Sequence, residues 1–399
     1  MQVAVDLTPL RPEGKNGGVK VLIITLLQQF QQLEPSYKFI LITAPWNHQE
    51  LTQYESKNVK CLLINDLTEE IKTAKPTLIK KIVKKVVNQL KKIYKPRKYL
   101  LTKNNVDLLF CPFSATTYAE KNIPTISIIH DLQHLDYPFL FSDEERNNRN
   151  NFLNDLLNQA DKIICVSEFT RQSMIKYFQI SPSKLVVIPN SIHGRLAKLE
   201  EKKVSEYLDK FGINKREYLF YPANYWQHKN HRMLLTAYNL YCQKFSRPTL
   251  DLVFTGSLKE EENQLQKAVE IMGLQGQVHF LGYLSEEELT AVWQGCKGLI
   301  YPSLYEGFGI PLLEAMSFGK PIISSNVCSL PEVGGDAVIY CDPRKPEEMA
   351  ACLAKIKCDR TLVNQLIVKG YERVKLFNQE EMVRQYLNLF ETVANENYN

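Results

Sequence analysis

The chain has 399 residues, 44 % of them apolar and 23 % charged, which excludes a disordered or fibrous protein and favours two globular domains over one. Its net charge of +5 is uneven: residues 71–105 hold twelve of the 49 Lys/Arg and no acid, so the remainder carries 37 basic against 44 acidic side chains. That distribution excludes a general nucleic-acid binder and points to one local anionic partner. No apolar run approaches the roughly 18 residues of a membrane-spanning helix. "MQVAVDLTPL" alternates like a strand and lacks a basic n-region, so no secretory signal is expected. Nine cysteines occur without CxxC spacing, and several lie in apolar strand-like runs. The expectation is buried free thiols in a reducing cytosol.

In the first half, "QVAVDLTPL", "KFILITA", "VKCLLIN", "VDLLFCPF", "TISIIHD", "KIICVSE" and "LVVIPNS" read as strands separated by helical patterns. Gly17 and Gly18 fall between the first strand and the first helix, a weak signal by itself. Within 78–94, "LIKKIVKKVVNQLKKIY" sets apolar residues and six lysines on opposite faces of a helical period. Two readings stay open: an ordinary amphipathic helix packed on its domain, or a contact with an anionic inner membrane surface, where each Lys adds about 1 kcal/mol. Nucleic acid fits poorly, because no aromatic stacking set accompanies the lysines. "TISIIHDLQHLDYP" is a buried strand ending in His130 and Asp131, from which His130 can reach a cleft. His134 and Asp136 are expected to structure the loop rather than complete a metal site.

The second half repeats the theme with "YLFYPAN", "LDLVFTG", "VHFLGY", "GLIYPS", "KPIISSN" and "AVIYCDP". Nearly continuous apolar strands between amphipathic helices signal parallel sheets covered on both faces. The fold class is therefore α/β, with two Rossmann-like doubly wound domains. The expected domains are 1–196 and 215–375, with 376–399 a final helix packing back toward the N-terminal domain. In "YPANYWQHKNHRMLLTAY", Lys229 lies in a loop from which its ammonium could offset charge on a diphosphate. His228 and His231 read as loop and cap residues.

"YEGFGIPLLEA" (305–315) is the most informative stretch. It follows a buried strand, at the end where open α/β sheets bind ligands. Pro311 suits the first turn of a helix, and Gly319 its stop. Gly307 and Gly309 let backbone N–H groups approach a ligand from a helix N-terminus, an anion site suited to a diphosphate. Glu314, expected in the first helical turn, can take two vicinal hydroxyls such as those of a ribose, and Glu306 can face a sugar. A phosphate cradle with two hydroxyl readers describes a sugar nucleotide. The competing reading is a surface helix whose acids complement its dipole.

"EGFGIPLLE" and the surrounding "PSLYEGFGIPLLEAMSFGKPIISSNVCSLPEVGGDAVIYCDP" resemble the retaining glycosyltransferases of family 4 (group 1), which have the GT-B fold with two Rossmann-like domains facing a cleft. The resemblance implies that Glu314 holds the donor ribose, Glu306 the transferred sugar, and the amides of Gly307, Phe308, Gly309 and Ile310 the diphosphate. It also implies a sugar-contacting role for His130, a diphosphate role for Lys229, and a donor-side approach at Gly17 and Gly18. Relatives carry an arginine five or six positions before that lysine, where this chain has Asn224 and Ala223. "CVSEFTRQSM" and "VIPNSIH" match family patterns too, giving Ser167 and Asn190 structural or acceptor-side roles. No Asp-x-Asp occurs, so no metal and no cofactor is expected.

The implied activity is transfer of a hexose from a nucleotide diphosphate sugar to a saccharide or lipid-linked saccharide, with retention through front-face displacement. "HDLQHLDYP" and "YPANYWQHKNH" resemble bacterial mannosyltransferase-like members. The matching expectation is a cytoplasmic location, with peripheral attachment to the inner face of the plasma membrane left open as an addition. Alternatives are a GT-B sugar-nucleotide epimerase, a glycogen-synthase-like polymerase, or a catalytically silent membrane-associated partner protein.

Overall fold

The computed structural model describes residues 1–11, 17–64, 99–191, 193–244, 250–256 and 259–396. The lysine-rich segment 78–94 lies outside the described residues.

Seven strands build the first sheet: β1 (Gln2–Asp6), β2 (Lys38–Thr43), β3 (Val59–Leu63), β4 (Leu108–Cys111), β5 (Thr125–Ile129), β6 (Lys162–Cys165) and β7 (Leu185–Val187). Six build the second: β8 (Tyr218–Pro222), β9 (Asp251–Thr255), β10 (Val278–Phe280), β11 (Gly298–Tyr301), β12 (Ile322–Ser325) and β13 (Val338–Cys341). Their orders are β3-β2-β1-β4-β5-β6-β7 and β10-β9-β8-β11-β12-β13. Every pairing between these strands is parallel. Parallel strands need crossovers and are covered on both faces, which is why β4, β5, β9 and β11 are buried throughout.

In each sheet the winding reverses once, between β1 and β4 and between β8 and β11. The connections leaving the C-terminal ends of these paired strands diverge there and leave a crevice. Those two positions bring together the loops that carry the chemistry.

Helix Glu201–Lys210 precedes β8 and packs on helix Glu286–Gly295, with Lys203 on Glu287 at 2.6 Å and Lys210 on Glu288 at 2.6 Å. The last helix, Gln379–Glu396, returns to the first sheet. Its Phe390 ring lies 5.5 Å from Phe30 and 5.1 Å from Phe110, and its Glu391 accepts from Tyr37 Oη at 2.7 Å.

Three details differ from the expectations. Gly17 and Gly18 are the first residues of helix Gly17–Leu33 rather than a loop before it, because the helical period running from Val19 extends back through them. Glu314 is the fifth residue of helix Ile310–Ser317, past its first turn, since the helix begins one residue before Pro311. All nine cysteines are free thiols, but Cys61, Cys242 and Cys328 are half-buried and Cys358 is exposed. Cys358 ends a helix instead of filling a strand.

Candidate active site

β8 and β11 are neighbours at the switch point, and each sends a loop from its C-terminal end. After β8, residues 223–230 include Asn224 and a single turn, Gln227–Lys229, before helix His231–Lys244. After β11, residues 302–309 lead into helix Ile310–Ser317. The loops are stapled to each other and to β8. Leu304 N donates to His228 O at 2.7 Å, Tyr221 Oη to Lys229 O at 2.6 Å, and Asn230 Nδ2 to Pro302 O at 3.1 Å.

This framework joins Lys229 to Glu306. The Nζ–Oε1 distance is 2.5 Å and each side chain is only 12 % exposed. Lys229 Nζ also donates to Tyr301 Oη at 3.2 Å. Burial pushes the Glu306 carboxyl up, but the Lys229 ammonium, together with His228 and a Ser303 hydrogen bond, outweighs it and holds the group below its ordinary value. His228 and His231 are pushed down to about 4 and about 3, first by burial and then by Lys229. This part of the site is one cation and one anion, flanked by imidazoles that stay neutral near pH 7.

Glu314 is buried, and its Oε1 accepts from Arg195 Nη1 at 2.5 Å. Arg195 sits in the turn His193–Arg195 of the segment joining the two sheets. It was missed from sequence, because nothing in "SIHGRL" signals a partner over a hundred residues away.

Close approach forces one of these glycines and backbone conformation another. A Cβ on Gly307 would lie 1.7 Å from the His130 carbonyl oxygen, so only glycine lets the second-half loop meet the first-half strand end. Gly309 caps helix Ile310–Ser317 at φ +112, a backbone that L side chains avoid. Phe308 is buried against Phe377 at 5.9 Å, leaving its backbone as the part that can meet a ligand. Gly18 faces Ile310: a Cβ there would come within 3.6 Å of Ile310 Cδ1. The N-terminus of helix Gly17–Leu33 therefore lies beside that of helix Ile310–Ser317.

His130 follows β5, next to the first switch point. Its Nε2 is 2.7 Å from Pro112 O and must donate, because a carbonyl only accepts; the neutral ring then presents Nδ1 as an acceptor. Burial lowers its pKa, against the Pro112 bond. The neighbours are engaged in the loop: Asp131 accepts from Gln133 N at 3.1 Å, and His134 pairs with Asn150 at 3.2 Å. Among the described residues, no group of three His, Cys, Asp or Glu is placed to hold a metal.

Known proteins give this geometry a family. Residues 204–373 match the model described as glycosyl transferases group 1, and residues 16–193 match that of glycosyltransferase family 4. The chain belongs to the group 1 glycosyltransferases. O-antigen chain mannosyltransferase B of Escherichia coli is 29 % identical to this group 1 glycosyltransferase over 265 residues, covering 66 % of this chain and 69 % of that protein. The serotype-specific mannosyltransferase WbdA of Escherichia coli is 27 % identical over 255 residues, 61 % of this chain but only 31 % of its own length. Among solved structures, Anabaena Alr3699/HepE in complex with UDP-glucose matches with a TM-score of 0.73 at 16 % identity, covering 98 % of this chain and 99 % of that one. WaaG, a glycosyltransferase involved in lipopolysaccharide biosynthesis, matches at 0.69 and 14 % identity, covering 97 % and 99 %. At such identities the structures establish the fold, which is GT-B. No helix among the described residues of this glycosyltransferase is long and apolar enough to cross a membrane.

Proposed function

We propose that this glycosyltransferase moves a hexose, with mannose the first candidate, from a nucleotide diphosphate sugar to a saccharide or lipid-linked saccharide during polysaccharide or glycolipid assembly. The observation that carries the reading is the joining of Lys229 and Glu306, 77 residues apart in sequence, beside the N-terminus of helix Ile310–Ser317. Mannose is supported by the names of the relatives, several of which are mannosyltransferases.

The amides of residues 307–310 and the Lys229 ammonium receive the diphosphate, Glu314 the ribose and Glu306 the hexose. Gly17 and Gly18 let the first helix approach the donor, Asn224 lines the same cleft, and His130 faces the sugar. In the transfer the bond from the anomeric carbon to the diphosphate oxygen breaks and a bond to the acceptor hydroxyl oxygen forms. The hydroxyl proton goes to the departing diphosphate, and configuration is retained. Lys229 and the amides supply the positive charge that a divalent ion would otherwise bring, so the reaction runs without metal or cofactor. The segment 78–94 would hold the enzyme to an anionic membrane surface on the cytoplasmic side, near a lipid-linked acceptor.

Purified protein incubated with GDP-, UDP- and ADP-hexoses and oligosaccharide acceptors tests this reading. Transfer should survive EDTA, and the product anomer should match that of the donor. Activity abolished by chelation and restored by Mn²⁺ or Mg²⁺ would refute metal independence. Isomerised donor without transfer would favour the epimerase alternative.

A further inference from the structure

We propose that Ser167 and Thr170 are positioning residues for the donor diphosphate, acting through the peptide that links Gly307 to Phe308. The inference rests on the donor-site reading above and adds what holds that site in register.

Ser167 and Thr170 belong to the first half of the chain, where Ser167 caps helix Glu168–Tyr177. Both are buried, and both hydroxyls converge on one atom of the second half. Ser167 Oγ donates to the Gly307 carbonyl at 2.7 Å and Thr170 Oγ1 at 3.2 Å. One carbonyl oxygen has two lone pairs and can accept both.

The peptide plane carries the consequence. In a planar trans peptide, the C=O of one residue and the N–H of the next point in opposite directions. With the Gly307 oxygen turned toward the two hydroxyls, the Phe308 N–H is turned away from them. The Phe308 carbonyl, one peptide on, is tied separately by Ser329 Oγ at 2.8 Å.

Such a hold is needed because Gly307 cannot supply it. The His130 carbonyl excludes any side chain at 307, so the residue there must be glycine, whose backbone rotates most easily. A flipped peptide would aim a carbonyl oxygen, instead of an N–H, at the phosphates. Two hydroxyls from the facing domain select against the flip.

The clasp also reports closure. Glu332, from the second half, accepts from the Glu168 and Phe169 amides at 2.8 and 2.9 Å, and its own carbonyl is held by Arg373. The start of helix Glu168–Tyr177 therefore meets the second half at two points, and the donor loop is fully oriented only when both halves are together.

Calorimetry separates this role from a merely structural one. The variants are Ser167→Gly, which removes the donor while glycine remains a tolerable helix cap, the near-isosteric Thr170→Val, and their double. Ser167→Thr, which keeps the hydroxyl, is the rescue. The probes are GDP, UDP and ADP with the matching nucleosides. The double variant should bind the diphosphate about tenfold more weakly and the nucleoside within about twofold of the wild type. Its transfer rate should fall mainly through donor KM, and Ser167→Thr should stay near wild type. Equal loss for nucleoside and nucleoside diphosphate, or unchanged diphosphate affinity in folded Thr170→Val and double variants, would overturn the proposal. Failure of the wild type to bind any of the diphosphates would instead remove the donor site on which the proposal rests.

Discussion

Glu306 keeps its charge in a buried position because Lys229 sits 2.5 Å away. Removing one partner of such a pair leaves an uncompensated charge, which costs up to about 3–5 kcal/mol. Lys229→Ala should therefore melt at lower temperature than the wild type, and the double variant Lys229→Ala/Glu306→Gln should recover part of that loss. Strictly additive melting shifts in this cycle would show that the two groups are uncoupled. Both single variants should lose most transfer activity. Glu314→Gln should weaken nucleoside diphosphate binding by about 1.5–3 kcal/mol, the worth of a charge-assisted hydrogen bond. Unchanged calorimetric affinity in that variant would remove the ribose role. At this scale Glu306 and Glu314 stood out from the loop around them and Lys229 mainly from the resemblance, and the structure pairs Lys229 with Glu306. Two of their partners did not stand out: Arg195 lies 119 residues from Glu314 and Tyr301 72 residues from Lys229, and neither carries a local signal.

Helix Ile310–Ser317 shows how an element can be legible while its reason is not. Pro311 near its start and Gly319 (φ +65) beyond its end mark its bounds locally. The need for Gly307 comes from another element, since only the turn after β5 puts a carbonyl where its Cβ would be. Gly307→Ala should consequently push the halves apart. The expected result is a folded protein with a larger radius of gyration by X-ray scattering and transfer activity reduced at least about a hundredfold, because a misplacement near 1 Å can cost that much. Full activity would mean that the His130 contact is dispensable. Helix Gln379–Glu396 is amphipathic in sequence, yet the partner of its apolar face was set by the fold. Phe390 is fully buried between Phe30 and Phe110, so Phe390→Ala should cost about 3–5 kcal/mol in denaturant melts. A cost near zero would show that this helix does not secure the first sheet.

For the molecule as a whole, buried imidazoles set the acid limit. His130, His134, His193, His228 and His231 all have pKa values lowered by burial. Each therefore binds a proton less readily when folded than when unfolded, so the stability it contributes is complete above its ordinary 6.5 and is lost as pH falls toward its folded value. His231, at about 3, should alone account for about 2 kcal/mol of loss by pH 5. The melting temperature should fall steadily from pH 7 to pH 5, and His231→Phe should flatten that slope. An unchanged slope would show that His231 binds its proton equally in the folded and unfolded states. The carboxyl of Glu306, held below its ordinary 4.5, adds a further loss only in stronger acid.

Chain order alone carried the two parallel sheets, the position of the loop at 305–315 and the roles open to its acids. Hydrophobic runs, glycine and proline act over a few residues, and they are written where they act. The tertiary structure decided which strand ends face each other, and so placed the His130 carbonyl against Gly307, Arg195 against Glu314, and Ser167 with Thr170 on one backbone oxygen. Those contacts span 119 to 140 residues in the ion pair and the two hydroxyl bonds. No local pattern encodes them, because they arise only when two separately wound sheets face each other through the loops at their strands' C-terminal ends.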